Sequence, residues 1–322
     1  MKDLASLLAP FSVDVFLSQY WTARELVVRG EATKFAGLFS WAELNAVLNQ
    51  QSRNLQYGQL KLAKDGRTLP AETVSYQVTT RKRGRVTRLS AQKILALFGE
   101  GATIIVNHVE RYSPALGALA GALEQEIGET VQINAYCTPP QASGFAPHYD
   151  THEAFILQVE GTKSWRAGGF TRPYPVATQK SVKAEAPLAT FNSLELSKGD
   201  LMYIPRGLWH AASTASEPSL HLTVGVHCRT GIDLLLWAAG QLSEIEEARR
   251  NLPKRWGEGR GSRLQAAETA ALLERLLAQL PDAAGGPGVA ARFDAQTRPK
   301  RERRKPARFA LPQAGRAGHG DE

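Results

Sequence analysis

The stretch that decides the fold is Ile133–Arg166, INAYCTPPQASGFAPHYDTHEAFILQVEGTKSWR, where short strand-like runs alternate with Gly and Pro. The same texture extends from Val131 to Arg229, and helical spacing returns after it. Repeated short strands separated by turn signals predict a mainly β fold, a sandwich or small barrel, with flanking helices. The predicted strands are VQINAYC, FAPHYD, EAFILQVEG, KSWRAG, LELSKGDLMYIP and SLHLTVGVH.

Three residues of this region carry side chains that bind transition metals. His148 and Asp150 lie two apart in the predicted strand FAPHYD, so both side chains point to one face. His210 follows the tight turn PRG in GDLMYIPRGLWHAA, residues 199–212. Two imidazoles and one carboxylate form the ligand set of non-haem iron(II) oxygenases. A double-stranded β-helix brings an early and a late strand together in this way, so the sequence predicts an Fe(2+) site at His148, Asp150 and His210.

The alternative for a lone His-x-Asp pair is ordinary surface chemistry, and the distant His210 is what favours a metal. His152 shares the predicted face with His148 and Asp150. At ~3.3 Å per residue it lies roughly 13 Å along the strand from His148. We therefore expect His152 near the mouth of the site and not on the metal.

Four further histidines are weaker candidates. His221 and His227 share one face of the last predicted strand with Thr223 and Gly225, and this face is expected to line the barrel interior. A hydrogen-bonded core position is the expected setting of His227. We interpret the other two as bystanders, one in a loop and one near the C-terminus: His108 and His319.

Composition narrows the class of protein. The 322 residues are 43% hydrophobic and 22% charged, which is typical of a globular protein with a substantial core. Cys137 and Cys228 are the only cysteines, so no disulfide framework is predicted, and a reducing compartment, the cytoplasm, is expected. No apolar stretch predicts a membrane span or a signal peptide.

Three regions are predicted along the chain. Residues 1–230 form the β-domain with N-terminal helices and strands, residues 231–281 are helical, and residues 282–322 form a basic, disordered tail. The segment 292–322 has nine Lys/Arg and four Asp/Glu, a net charge of +5 out of the total of +8. Such a segment is more often a solvated, disordered terminus, and the alternative is contact with RNA or another polyanion through phosphate neutralisation. One apolar stripe of the helical region predicts either a homodimer or packing onto the β-domain: Leu272, Leu273, Leu276, Leu277 and Leu280.

A longer pattern resembles a known family. From Asn134 to Trp165 the sequence reads N-x-Y-x-T-P-P-(x)3-G-F-x-P-H-Y-D-(x)2-E-A-F-(x)2-Q-(x)2-G-x-K-x-W, followed later by GDLMYIPRGLWHAA and LHLTV. It resembles the JmjC-type ribosomal oxygenases of the cupin-4 group, which are iron(II)- and 2-oxoglutarate-dependent hydroxylases with a jelly-roll fold. The resemblance covers residues 4–230. It implies that the metal is held by the three residues above, and that the cosubstrate 2-oxoglutarate is contacted by Lys163, Asn134 and Thr223.

Two departures from that family leave the substrate open. Gly225 stands where larger members often have a serine, two positions after the H-L-T motif. After Ile232 too little predicted ordered sequence remains for the winged-helix domain of the ribosomal oxygenases. We expect the substrate to be a side chain of a protein or peptide that need not be ribosomal, and a smaller peptide or a modified natural product is an alternative. Two alternatives remain: an N-methyl-lysine demethylase of the same fold, or a non-catalytic RNA- or ribosome-binding cupin that uses the tail and the basic cluster Arg81–Arg88.

Overall fold

The computed structural model describes residues 3–51, 59–80, 84–179, 186–256 and 262–299. The helices are α1 (Leu4–Leu8), α2 (Val13–Gln19), α3 (Trp41–Gln51), α4 (Ala71–Val74), α5 (Ala91–Gly99), α6 (Pro114–Ile127), α7 (Gly231–Gln241), α8 (Glu246–Arg249), α9 (Ala266–Ala283) and α10 (Val289–Thr297). The strands are β1 (Leu26–Val28), β2 (Leu60–Lys64), β3 (Arg67–Thr68), β4 (Ser75–Thr80), β5 (Gly84–Leu89), β6 (Thr103–Val106), β7 (Thr130–Thr138), β8 (Glu153–Glu160), β9 (Lys163–Phe170), β10 (Asn192–Leu196), β11 (Leu201–Ile204), β12 (Leu208–Ser213), β13 (Ser219–His227), β14 (Lys254–Trp256) and β15 (Ser262–Leu264).

Two antiparallel sheets form the body of the protein. The large sheet has the order β1-β11-β8-β13-β7-β6-β2-β3, and a second sheet has the order β10-β9-β12. Side chains of both sheets line one cavity and share a small apolar cluster, so the sheets face each other. This arrangement is the predicted jelly roll, and the predicted helical region follows it.

The large sheet is covered on its other face by helices, and this explains its residue pattern. Along β7, Val131, Ile133 and Ala135 enter the main core, whereas Asn134 and Tyr136 point into the cavity. Helix α6 packs against β7 on the core side. It begins with an N-cap at Ser113 and ends at Gly128, whose φ of 82° suits a glycine.

The segment that carries two of the three predicted metal ligands is not a strand, so that prediction was wrong. Residues 139–152 follow the end of β7 and are held by isolated bridges, one of which joins His148 to His210. Pro139, Pro140 and Pro147 explain the difference, because a proline has no N–H for a continuous ladder.

The prediction of a disordered tail from residue 282 was also wrong for its first part. Helix α9 continues to Ala283, and α10 packs on α7 through Phe293, whose ring lies 5.4 Å from that of Trp237. Arg229 donates to Asp294 Oδ1 at 2.9 Å and to Thr297 Oγ1 at 2.8 Å. These partners lie about sixty residues earlier in sequence, so local periodicity could not reveal them. Residues 300–322, with most of the basic charge, lie outside the described part of the chain, as do residues 81–83 of the basic cluster.

In the described part of the chain no helix has the length and hydrophobicity that crossing a membrane requires. Both cysteines are free thiols, Cys137 buried and Cys228 half-buried.

The leucines of α9 divide between two environments: Leu272 is buried against the rest of the protein, whereas Leu273 and Leu277 are 57% and 55% exposed.

Candidate metal centre and cosubstrate cavity

The three predicted metal ligands converge. One ligand atom from each of His148, Asp150 and His210 lies within 4.8 Å of the other two, and no second cluster of three such residues occurs in the described ranges. The convergence is built by the backbone: His148 N–H donates to His210 O at 3.1 Å, and His210 N–H donates to His148 O at 2.8 Å. The side chains therefore meet across a two-residue antiparallel bridge.

The turn before His210 fixes the third member of the triad. Gly207 N–H donates to Asp150 O at 2.9 Å, which ties the turn to the segment of the other ligands. Gly207 has a φ of 88°, and a Cβ there would lie 2.8 Å from Arg172 O, so the position requires glycine. Glu153 is buried and accepts from Tyr203 Oη at 2.5 Å and from Arg206 N at 3.3 Å. These contacts hold the start of the same turn.

A backbone carbonyl beside each imidazole of the triad determines which ring nitrogen is left unprotonated to bind a metal. His148 Nδ1 lies 2.9 Å from Ala146 O, and His210 Nδ1 lies 3.0 Å from Leu208 O. A carbonyl only accepts, so each Nδ1 carries the proton and each Nε2 keeps its lone pair. Such outer hydrogen bonds orient metal-binding histidines in known sites.

Electrostatics favour the protonation states that a metal needs. Burial, with His148 beside it, lowers the pKa of His210 to about 4, so this imidazole is neutral at neutral pH. Burial opposes ionisation of Asp150, but the imidazoles of His152, His210 and His148 hold the pKa of its carboxyl below the ordinary value. A neutral imidazole and an ionised carboxylate are metal-binding forms.

The triad opens into a cavity of about 310 Å³ that Lys163 also lines. His210 pairs with Ala167, four residues along β9 from Lys163, so the lysine lies at the end of the cavity away from the triad. This lysine is only 4% exposed, and its Nζ donates to Thr138 Oγ1 at 2.9 Å and lies 3.3 Å from His221 Nδ1. Burial lowers the pKa of Lys163 to about 7, and no described carboxylate forms an ion pair with it. The cavity thus holds a metal-ligand set at one end and a buried cation without an anion at the other.

The other two predicted cosubstrate residues also line the cavity. Asn134 and Thr223 face each other across the β7–β13 register. The Asn134 Oδ1 is already used, since it accepts from Gln132 Nε2 at 2.9 Å and from His108 N at 3.1 Å. Thr223 is 6% exposed and follows His221 by two residues on the same face of β13.

Trp165 was not predicted as a functional residue. Its indole N–H is, after the Lys163 amine, a second donor at the cavity that lacks a matching acceptor in the described part of the chain. Its indole packs near His210 and His221, with ring centroids 6.2 and 5.4 Å away. The Nε1 atom is buried and has no hydrogen-bond partner among the residues that the structure describes. The sequence signal was the spacing K-x-W in β9, which places Trp165 on the same face as Lys163.

The mouth of the cavity is built around Gly225. A Cβ at this position would lie 2.7 Å from His152 Cδ2 and 2.9 Å from its Nε2, so the missing side chain makes room for the His152 ring. That ring stacks on His227 at 4.8 Å. His152 is therefore at the mouth, as predicted, whereas His227 is exposed and not the core residue that the sequence suggested.

His108 was interpreted as a bystander and lies close to this mouth. It adopts a left-handed backbone with φ 55°, fixed by the hydrogen bond from its N–H to Asn134. Its Nδ1 lies 3.2 Å from Glu110 Oε1. The pKa of His227 is lowered to about 4, first by burial, then by the charge of His152 and then by the charge of His108. Nothing in the local sequence distinguished this histidine, because its position near the mouth depends on the hydrogen bond to Asn134 on β7.

Known proteins share this architecture. Residues 109–234, which contain every cavity residue from Asn134 to Thr223, match the family model described as JmjC domain. The chain belongs to the JmjC domain family. It is 31% identical over 261 residues to the bifunctional lysine-specific demethylase and histidyl-hydroxylase NO66 of Culex quinquefasciatus, covering 76% of this chain and 38% of that protein. It is 32% identical over 260 residues to ribosomal oxygenase 1 of Gallus gallus, covering 77% of this chain and 41% of that protein.

A solved structure extends the likeness of the JmjC protein beyond its central domain. The ribosomal oxygenase YcfD of Escherichia coli, in complex with cobalt and 2-oxoglutarate, superimposes with a TM-score of 0.55. The match covers 88% of this chain and 70% of that one at 16% identity, which supports the fold. The chain spans about two fifths of the length of the two curated relatives described above.

Proposed function

We propose that this JmjC protein is an iron(II)- and 2-oxoglutarate-dependent oxygenase that hydroxylates a side chain of a protein or peptide. The observation that carries the proposal is the pairing of two features in one cavity. His148, Asp150 and His210 form a metal-ligand set, and Lys163 lies buried at the far end without an anion. A molecule with a metal-chelating end and a distal carboxylate satisfies both ends.

The residues present fit these two groups. Two imidazoles and a carboxylate on one face suit iron(II) and leave coordination positions open. Lys163 Nζ, the orphaned Trp165 Nε1 and the cavity volume suit a small dicarboxylate. When bound, iron(II), 2-oxoglutarate and dioxygen supply the oxidising power, with CO2 and succinate as by-products.

The protein contributes binding, orientation and protonation control. The carbonyls of Ala146 and Leu208 hold the protons of His148 and His210 on Nδ1, so that the two Nε2 lone pairs would be free to bind iron(II). Lys163 fixes the distal carboxylate, which sets the direction of the cosubstrate in the cavity. The mouth at His152 and His227 is left for the side chain to be oxidised.

Formation of succinate from 2-oxoglutarate, with iron(II) and air, tests the activity. Wild type should form succinate slowly without a substrate, and Asp150→Ala should form none while retaining its circular dichroism spectrum. His319→Ala, which removes a histidine outside the described residues, is the matched control and should behave as wild type. An Asp150→Ala variant with full turnover would refute the metal centre.

The substrate class follows from the relatives and is tested by mass. Their names are those of ribosomal oxygenases and of a demethylase and histidyl-hydroxylase, so ribosomal proteins and N-methylated peptides are the first panel. Peptides that gain one oxygen atom support hydroxylation. Peptides that lose a methyl group, with formaldehyde released, would replace our proposal with demethylation.

We also propose that the helical region forms a homodimer. Helices α7 and α9 pack together and leave apolar side chains outside, with Leu235 and Leu236 60% and 66% exposed. Leu273 and Leu277 of α9 are similarly exposed. Large adjacent apolar side chains on neighbouring helices are typical of an interaction surface.

The basic segment after Pro299 is proposed to hold the enzyme near a polyanion such as RNA. The sequence supplies seven Lys/Arg after Pro299, six of them before residue 309. Truncation after Pro299 leaves α10 and its contacts with Arg229 intact. It should preserve succinate formation without substrate and flatten the salt dependence of RNA binding. Loss of that turnover would show that the segment belongs to the catalytic domain. The cytoplasmic location stays a prediction.

A further inference from the structure

His221 lies at the closed end of the cavity and is not part of the metal triad. It is 3% exposed, and its Nδ1 lies 3.3 Å from Lys163 Nζ. In its charged form, which is the form that binds a carboxylate, Lys163 has only donors, so its contact with the ring uses the imidazole nitrogen as the acceptor. Nδ1 is therefore unprotonated, and the ring proton is on Nε2.

The imidazole ring of His221 is fixed in orientation. It stacks on Tyr136 with 4.8 Å between centroids and 3° between planes, and Trp165 packs edge-on at 5.4 Å and 77°. A half-turn about the Cβ–Cγ bond would replace Nδ1 by a carbon and lose the Lys163 contact, and a smaller rotation would also break the stacking on Tyr136. Burial, followed by the charge of Lys163, lowers the pKa of His221 well below 6.5, in keeping with a neutral ring.

The Nε2–H of this ring is a donor that has no acceptor in the part of the chain that the structure describes. His221 lines the cavity, and the Lys163 contact is the hydrogen bond it forms among the residues that the structure describes. Tyr136 and Trp165 cover the ring without accepting from it. The closed end thus offers an ammonium and an imidazole N–H side by side.

We propose that His221 is a second anchor for the distal carboxylate of the cosubstrate, with Nε2–H donating to that carboxylate while Nδ1 holds Lys163 in place. The inference rests on the proposed function. Lys163 alone would bind a carboxylate as a point charge with free rotation. The imidazole donor comes from a different strand and holds the carboxylate at a second point. The site therefore favours a ligand whose anionic group reaches the closed end of the cavity while its other end binds the metal.

Two substitutions separate the nitrogens of His221. In His221→Asn the side-chain amide reaches about as far as Nδ1, which keeps an acceptor for Lys163 and removes the donor at Nε2. In His221→Gln the amide reaches about as far as Nε2 and keeps that donor. We would titrate the cobalt(II)-loaded full chain with 2-oxoglutarate, and with 2-oxopentanoate, which lacks the distal carboxylate.

Expected results follow from the donor role. His221→Asn should bind 2-oxoglutarate roughly tenfold more weakly, the scale of one hydrogen bond to a charged group, and His221→Gln should retain most of the affinity. Neither substitution should change the affinity for 2-oxopentanoate or for cobalt(II). Wild-type affinity in His221→Asn, or equal weakening for both keto acids, would overturn the inference, since the second result is that of a structural residue.

Lys163→Ala separates this inference from the proposed function. Weak 2-oxoglutarate binding by Lys163→Ala together with unimpaired His221→Asn would reject the role of His221 alone. Failure of the cobalt(II)-loaded wild type to bind 2-oxoglutarate would reject the proposed function itself. Thermal unfolding of each variant without ligand checks that the compared proteins are folded.

Discussion

Replacing Lys163 with methionine should make the ligand-free protein more stable and abolish its response to 2-oxoglutarate. The pKa of this lysine falls from 10.5 to about 7 through burial. At ~1.4 kcal/mol per pH unit, the charged amine is about 5 kcal/mol less favourable here than in water. Methionine has a similar length and no charge. Allowing for the lost hydrogen bonds to Thr138 and His221, we expect Lys163→Met to raise the free energy of unfolding by about 2–4 kcal/mol at neutral or lower pH.

The way the free energy of unfolding changes with pH shows whether the buried charge of Lys163 is the cause of the difference. The unfolded chain binds a proton at Lys163 up to about pH 10.5, and the folded chain releases it above about pH 7. Stability of wild type therefore rises with pH across this window. The advantage of Lys163→Met is largest below pH 7 and fades as the pH approaches 10.5.

Urea unfolding followed by circular dichroism, near pH 6.5 and near pH 9, measures both effects. Added 2-oxoglutarate and cobalt(II) should stabilise wild type by mass action, whereas Lys163→Met should respond to cobalt(II) alone. A variant that is less stable than wild type at the lower pH, or that is still stabilised by 2-oxoglutarate, would refute the reasoning. A difference that does not vary with pH would show that the buried charge is not its cause.

Three further predictions concern other parts of the molecule. His210→Ala should lose cobalt(II) binding measured by visible absorption, because the triad is reduced to two ligands. Gly225→Ser should cost about 1–3 kcal/mol by overpacking against His152, and His152→Ala in the same chain should recover much of it in a double-mutant cycle; additive effects would contradict the clash. Leu236→Asp with Leu277→Asp should convert a dimer into folded monomers by light scattering, and a wild type that is already monomeric would exclude the dimer.

The sequence was sufficient for the metal triad because its signals are local and chemical. His148 and Asp150 are two residues apart, and His210 follows a turn whose glycine is visible in the sequence. The assumption that carried the prediction, a continuous strand through His148, was wrong, yet the side chains converge. A two-residue bridge to His210 orients them as a strand would have done.

The rest of the site depends on register, which a single sequence does not provide. Lys163 and His221 are 58 residues apart, and their contact arises because β9 and β13 place both side chains in one cavity. His108 becomes part of the site only through the amide of Asn134. Helix α10 has little apolar periodicity of its own, and its folding depends on Arg229 and Trp237.

The two ends of the cavity differ in how they can change. The closed end is made of buried side chains on strands, where Lys163, Thr138 and His221 hold one another, so a substitution of any one disturbs the others. The mouth is made of a bend at His152 and the slot that Gly225 leaves for it. A change at the mouth can alter the shape offered to a substrate without touching the groups that hold the cosubstrate. Selectivity for the substrate should therefore be altered by substitutions around Gly225, while affinity for 2-oxoglutarate should follow those around Lys163.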